Sequence, residues 1–455
     1  MIGPAGSAYT GDRVRGNGLE HRVVACGAGF AGDRTEPAVA LAASGLVDAV
    51  GLECLAERTL VPGLRARRTD GDAGADPRLE RRLRPLLPVA RENDCRIISN
   101  LGAANPLSAG RQIARLASEI GCSGLRVASV IGDDVMALAK HIEWQEPIVG
   151  EMLGAHAYLG ADALREAVDD GAQVIVTGRV ADSALFSAEV LPILDDNLDA
   201  LAGATTIGHL LECSGQLTGG NFEMPNGDSL TAEDFAALGF PLAHVWSDGS
   251  ADLMLLDGAP GRIDILTCTL QLLYEVHDPR AYITPDAILD LTGISFEEIG
   301  PNRVRVSGAR ARGRPTRLKV SGFVEQPGFV ADIEIGYAGT HALQRGKVAA
   351  DALRMRLDDL PQKDLRIDLV GVDSTLGSAS LSPPNRVPEV RVHVSARCSD
   401  AQMAQIVEDE VYSLTLSGPA GGGSVRSERR PSLAVVDGFI DRDLVKTETV
   451  WERAS

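Results

Sequence analysis

Aromatic side chains are scarce, 4% of the chain, so any core must be built mainly from aliphatic residues. No apolar run approaches the roughly 18 residues that a membrane helix needs. The 7 cysteines are odd in number, scattered, and never spaced Cys-x-x-Cys. That excludes a disulfide framework and fits free intracellular thiols. Positive charge is the scarcer sign: 44 Lys and Arg stand against 63 Asp and Glu, a formal net charge of −19. This balance argues against nucleic acid or an anionic membrane as a partner. Residues 1–20 are Gly-rich and polar, with no apolar stretch of the signal-peptide kind. They read as a poorly ordered tail, and a cytoplasmic location is the expectation.

What is present is an ordinary globular composition, 44% apolar and 24% charged, over 455 residues, enough for two or three domains. The first half repeats one pattern. Short, apolar, non-alternating runs at His21–Cys26, Val47–Leu52, Cys95–Ser99, Leu125–Val130 and Gln173–Thr177 suit strands buried on both faces. Between them lie helical spacings that end on glycine: Ile113, Leu116 and Ile120 before Gly121, and Leu164, Ala167 and Val168 before Gly171. The pattern predicts an α/β domain over residues 21–360, a mostly parallel sheet with helices on both faces. In its second half the sequence predicts a helix at Thr206–Cys213 and strands at Ile263–Val276 and Arg303–Val306. A hairpin of Leu318–Val324 with Phe329–Ile335 and a closing helix, Ala342–Leu357, follow. Pro361-Gln362-Lys363-Asp364 reads as a linker. Residues 365–455 then carry strands Leu365–Val372 and Val387–Ser395, a helix Ala401–Leu414, and short strands near Leu433–Val436 and Leu444–Lys446. This is the pattern of a smaller C-terminal α+β domain of ferredoxin-like type.

Several segments carry chemistry. Gly27, Gly29 and Gly32 match G-x-G-x-x-G after a strand, with Glu53 where a ribose-binding acid would sit, which suits a dinucleotide. Thr35 and Pro37, however, start the helix after the glycines. An anion loop or a tight turn are the alternatives. Val176–Ser183 lies at the carboxyl end of a strand, where open α/β sheets bind ligands. There Gly178 admits a ligand to the backbone, Arg179 suits a carboxylate clamp, and Asp182, one turn on, suits a base. The competing reading is an internal Arg179–Asp182 brace. Asn100 and Asn105 end another strand and suit carbonyl or carboxylate recognition, or turn chemistry alone.

Glu53 would end the second strand as a general base, with Glu57 pairing Arg58 or Arg65. Asp133 and Asp134 suit a metal or a helix cap. His209, Glu212 and Cys213 share a helical face, either a partial metal site lacking a third ligand or a buried His–Glu pair. Glu275 and His277 would share one face of a strand as an acid–base pair or a polar edge. Asn221, after Gly219-Gly220, is a further binding candidate. Arg310, Arg312, Arg314, Arg317 and Lys319 would hold the phosphates of a CoA thioester or form a solvated hairpin. Gly418–Gly423 suits an anion nest or a hinge.

Taken in order, these strings resemble the acyclic terpene utilisation family AtuA. They are Gly27–Gly32, Glu53–Thr59, Asn100–Pro106, Val130–Asp134, Thr177–Ala184, Gly208–Cys213, Thr218–Gly220, Leu273–Pro279, Tyr282–Asp286 and Gly418–Gly423. The resemblance implies a large N-terminal α/β domain with a ferredoxin-like C-terminal domain. It also implies a role in branched acyl-CoA or related carboxylate metabolism, with lyase or hydratase chemistry. Two departures stand out: Gly258-Ala259-Pro260-Gly261 replaces a Gly-Thr-Gly-Gly turn, and Gly339-Thr340-His341 precedes the last helix of the large domain. The substrate therefore need not be a terpenoid.

The leading expectation is a lyase, a hydratase or C–C lyase, acting on an unsaturated or 3-hydroxy carboxylate as free acid or acyl-CoA thioester. Arg179, Asn100, Asn105, Gly27, Gly29, Gly178 and Asn221 would bind the substrate. Asp182, Glu53, Glu275 and His277 would transfer protons. No redox cofactor is required, and metal status stays open. Two alternatives come from other classes: an NAD-dependent oxidoreductase using Gly27–Gly32, and a non-catalytic binding or scaffold subunit. A homo-oligomer is expected.

Overall fold

A computed structural model describes residues 19–223, 227, 230–361, 364–377 and 387–455. Most of the expected N-terminal tail, and Gln362 and Lys363 of the expected linker, lie outside the described residues.

All five expected strands form, as His21–Ala28, Ala49–Leu52, Arg96–Ser99, Arg126–Ile131 and Val174–Thr177. They are the parallel centre of a ten-stranded sheet, in the order first, second, third, fifth, fourth. Their ends are in step: Leu52 pairs with Ala28 and Ser99, Ser99 with Val176, and Val130 with Thr177. Successive side chains point to opposite faces. Val50 and Leu52 join one core with Leu41, Leu83, Leu86, Leu87 and Ile113 of the helices Glu36–Ala43, Leu79–Glu92 and Pro106–Glu119. Gly51, between them, meets the Phe186 ring on the other face.

The sheet is mixed rather than mostly parallel. Beside His21–Ala28 run Leu242–Trp246, Ala251–Met254, Arg303–Ser307 and Ser295–Gly300, each antiparallel to its neighbour. At the opposite edge Glu448–Arg453 runs antiparallel to Arg126–Ile131. The cause is connection length. Leu242–Trp246 and Ala251–Met254 are joined by a tight turn with Gly249 at φ +80°, and so short a link cannot make a parallel crossover.

The chain divides into two compact units. The larger holds the residues up to Glu146, Leu153–Gly322 and Asp437–Ser455; the smaller holds Pro147–Met152 and Phe323–Val436. The smaller unit follows β-α-β-β-α-β order. Its elements are the later part of strand Arg317–Ala338, helix Ala342–Arg356, strands Leu365–Val370 and Glu389–Cys398, helix Ala401–Ser417, and the earlier part of strand Gly423–Asp441. Alternating residues Ile333, Ile335, Tyr337, Val392 and Val394 pack against Ala349, Leu353, Val407 and Val411 of its two helices. The helix Ala342–Arg356 therefore belongs to the smaller unit instead of closing the large one.

Two local expectations change. Leu318–Val324 and Phe329–Ile335 are not a hairpin but parts of one strand. Gly328 at φ +102°, pressed against the Cys398 carbonyl, absorbs the Pro-Gly irregularity without reversing the chain. Ile263–Val276 is not a strand: Ile265–Leu273 is helical, because Asp264 and Thr267 form a reciprocal capping box that starts it. Among the described residues no helix is long and apolar enough to cross a membrane.

Candidate functional site

Because the parallel strands end in step, their trailing turns meet. Glu53 directly follows Leu52 and Asn100 directly follows Ser99, while Asp133 and Arg179 stand two positions after Ile131 and Thr177. Beside them lies a cavity of about 550 Å³ lined by Glu53, Glu57, Tyr158, Arg179, Asp182, Glu212, Glu275, Tyr282 and Lys319, among others.

Arg179 is the charged centre of its wall. Its amide N–H donates to Asp133 Oδ2 at 2.7 Å, and its Nη1 donates to the Leu55 carbonyl. The guanidinium lies over the Tyr158 ring, 4.1 Å from the centroid. Nη1 is 3.7 Å from Asp182 Oδ1 and Nη2 is 3.8 Å from Glu57 Oε1. Both separations exceed hydrogen-bond length, so the ion pairs are open. Arg179 Nε and Asp182 Oδ1 each have no hydrogen-bond partner. The side chain is thus held at one nitrogen and one face, while an edge of its fork is unsatisfied. The Arg179–Asp182 ion pair of the brace reading is present within the turn, without a hydrogen bond between the two side chains.

The surrounding carboxyls are driven apart. Burial pushes Glu53 up against the pull of Arg179; its carboxylate accepts from Leu55 N at 2.9 Å and from Asn100 Nδ2 at 3.1 Å. Burial, reinforced by Glu53 and Glu212, holds Asp182 well above the usual carboxylate range despite Arg179. Glu57 goes the other way. Burial would raise it, but Arg179 and the Tyr158 hydroxyl, which donates to Glu57 Oε1, bring it below its ordinary value. Asp182 therefore holds a proton at pH values where Glu57 is ionised.

The structure brings together Arg179, Asp182, Glu53, Glu275 and Gly29 in the cavity wall. Asn100 stands behind that wall, fully buried, with Oδ1 taken by Cys54 N at 2.7 Å and Nδ2 by Glu53. Gly178 packs on the Asp133 carboxylate, and Gly27 lies between Val50, Leu52 and Ala38. Asn105 caps Pro106–Glu119, and its Nδ2 donates to Gly71 O and Ala73 O at 2.9 and 2.8 Å. Asn221 donates to Gln216 Oε1 at 3.1 Å, away from the cavity. Glu275 and His277 do not share a strand face, since Glu275 sits at φ +60° just past the Ile265–Leu273 helix and His277 is exposed outside the lining.

Of the basic cluster, Arg317 and Lys319 reach the cavity rim. There Arg317 pairs with Glu143 at 2.7 Å and Lys319 with Asp437 at 3.3 Å. Arg312 and Arg314 pair with Asp290 and Asp162. His209 and Glu212 form a buried pair at 3.0 Å. Among the described residues no group of three or more His, Cys, Asp or Glu is arranged to hold a metal. Sequence reading missed Tyr158, which joins Arg179 to Glu57. The one available signal was scarcity: the chain has 6 tyrosines, and Tyr158, Tyr274 and Tyr282 all line this cavity.

A mixed α/β sheet whose parallel strands end beside a charged, tyrosine-rimmed cavity defines the class: an α/β protein with a polar cleft at its strand ends. The chain matches the acyclic terpene utilisation family protein AtuA over residues 22–451, and it belongs to that family. No curated protein matches it. A homoserine dehydrogenase from Thiobacillus denitrificans is 12% identical over 86% of this chain and 84% of its own, with a TM-score of 0.14, a likeness too weak to bear on fold or function.

Proposed function

We propose that the protein is a lyase, a hydratase or C–C lyase, acting on an unsaturated or 3-hydroxy carboxylate, as the free acid or as a CoA thioester. The observation that carries this reading is the Arg179–Asp182 arrangement: a buried guanidinium with an unsatisfied Nε, 3.7 Å from a carboxyl oxygen that also lacks a partner. Elimination needs a cation where negative charge gathers on the acyl or carboxylate oxygen. It also needs a proton donor for the leaving oxygen. Arg179 supplies the first. Asp182, which lines the cavity and whose carboxyl is raised well above the usual range by desolvation, supplies the second.

Arg317 and Lys319 favour the thioester form. Their surface ion pairs are worth roughly 0–1 kcal/mol each, so phosphates can displace the carboxylates that now hold them. The β-α-β-β-α-β order of the smaller unit supports a ferredoxin-like reading of it.

The test is Arg179→Ala, assayed by calorimetry with a short 3-hydroxyacyl-CoA and its free acid. Binding should be lost while circular dichroism and cooperative melting persist. Full binding and turnover in the variant would sink the clamp.

A further inference from the structure

The His209–Glu212 pair lies outside the chemistry assigned above, yet it opens on the same cavity. Gly208 makes this possible. A Cβ there would come 2.3 Å from the Ser183 carbonyl, so the Leu198–Leu211 helix runs directly against the turn that carries Asp182. One turn beyond Gly208, Glu212 reaches the cavity lining. On the other side, the Glu212 carbonyl would lie 2.2 Å from a Cβ on Gly29. Two glycine contacts thus press the end of this helix between the first strand's trailing loop and the Arg179–Asp182 turn.

Behind Glu212 stands His209, 1% exposed. Its Nδ1 is 3.0 Å from Glu212 Oε1 and its Nε2 is 3.2 Å from the Leu272 carbonyl. The Leu272 carbonyl is an acceptor, and so is Glu212 Oε1 in the ionised carboxyl. A neutral imidazole has one N–H and would leave a lone pair facing an oxygen. Against an ionised Glu212, only the imidazolium satisfies both contacts. The electrostatics agree: burial alone would lower His209, but Glu212, with Glu275 behind it, raises it above its ordinary value. Tyr282, its ring 5.2 Å from the imidazole, closes the remaining side. Facing Glu212 across the cavity are Asp182 and Glu53, whose acidity its charge weakens.

We infer that Glu212 is the proton acceptor of this cavity, positioned by the buried His209, and that Asp182 is the matching donor. The inference rests on the lyase reading. Two carboxyls lining one cavity, one beside a buried histidine and the other beside a guanidinium, have different partners, as an acid and a base require. In the dehydration direction Glu212 takes a proton from Cα of a 3-hydroxyacyl group. The C–H electron pair forms the Cα=Cβ bond, and the Cβ–O bond breaks. Asp182 gives its proton to the departing hydroxyl, which leaves as water. Glu212 ends protonated and Asp182 ionised, and exchange with solvent resets both. His209 is a positioning residue that never touches the substrate.

Two measurements on the full chain decide this. In ¹⁵N-histidine-labelled protein, one imidazole should carry two protons above the ordinary histidine range, and His209→Asn should remove that signal. A neutral His209 at pH 7 overturns the inference. In D₂O, the unaltered protein should exchange the Cα proton of a 3-hydroxyacyl-CoA probe. Glu212→Gln should slow this by about 100-fold or more with probe affinity unchanged. His209→Asn should move the acid limb of the pH–rate profile upward, because a carboxylate that loses a neighbouring cation ionises less readily. A Glu212→Gln protein that still exchanges overturns the inference and leaves the lyase reading standing. No exchange and no turnover in the unaltered protein removes both.

Discussion

One oxygen of Asp133 serves two partners: Oδ2 accepts the Arg179 N–H at 2.7 Å and lies 2.8 Å from His156 Nδ1. Asp133 is 3% exposed, so this contact fixes the turn carrying Arg179 from behind, with no reach into the cavity. Asp133→Ala strands two buried polar groups and should cost about 1–3 kcal/mol for each. Gly178→Ala would place a Cβ 2.3 Å from the same oxygen and push the carboxylate off the turn. Both variants should weaken carboxylate binding at least tenfold while the protein still unfolds cooperatively in urea. Unchanged affinity in Gly178→Ala would show that the turn is not what aims Arg179.

The contact at Gly208 is equally tight, with the Ser183 carbonyl 2.3 Å from where a Cβ would stand. Helix propensity alone favours Gly208→Ala by about 1 kcal/mol. Overpacking against backbone should win, at about 1–3 kcal/mol of net destabilisation. Thermal melting reads the sign directly, and a melting temperature above that of the unaltered protein would mean the helix can move away at no cost.

The central strands and their meeting ends were legible because their signals are local. A short apolar run closed by Gly or Asn marks a buried strand and its turn wherever it occurs, and Glu53, Asn100 and Arg179 follow from counting past such runs. The antiparallel flanks were not legible. Glu448–Arg453 finds Arg126–Ile131 more than 300 positions earlier, and nothing in either segment names the other. Tyr158 was invisible for the same reason, since its partner Glu57 lies 101 positions away. Ile265–Leu273 failed differently. Its apolar residues go all the way round, as in a buried strand, yet Leu266 and Leu270 are 44% and 55% exposed. There the Asp264–Thr267 cap was the better signal.

The glycine loop gives a prediction about dinucleotides. A pyrophosphate would need the amides of Gly27–Gly32, but the Gly29 N–H already donates to Asp33 Oδ2 at 2.8 Å. That oxygen also accepts the Ser214 hydroxyl at 2.8 Å, which anchors a carboxylate where the phosphate would bind. Glu53, the acid placed for a ribose, is already engaged with Asn100 and Leu55. NAD⁺ and NADH at millimolar concentration should leave the melting temperature unchanged. Binding would show readily, because ligand at a hundredfold excess over Kd adds about 2.7 kcal/mol. A clear rise in melting temperature would restore the oxidoreductase alternative.

Asp286, next to the cavity-lining Thr284 and Pro285 in sequence, provides a pH test of the fold. It is 1% exposed, and both its oxygens face the Ala161 N–H at 2.9 and 3.1 Å. Burial, reinforced by Asp162, pushes its carboxyl up from 3.8 to about 6. Between about pH 4 and pH 6 the folded protein therefore binds a proton that the unfolded chain has released. Stability from this group is complete at the acid end of that window and is lost as pH rises through it. The loss should be on the order of 3 kcal/mol, since a tenfold difference in acidity between the folded and unfolded chain is worth about 1.4 kcal/mol. Asp286→Asn keeps an acceptor for Ala161 but cannot ionise, so its stability should fall less between pH 4 and pH 6 than that of the unaltered protein. Urea denaturation at half-unit pH steps gives the difference directly, with every other titrating group common to both proteins. Parallel curves would show that Asp286 is ionised throughout and that its environment is wetter than its burial implies.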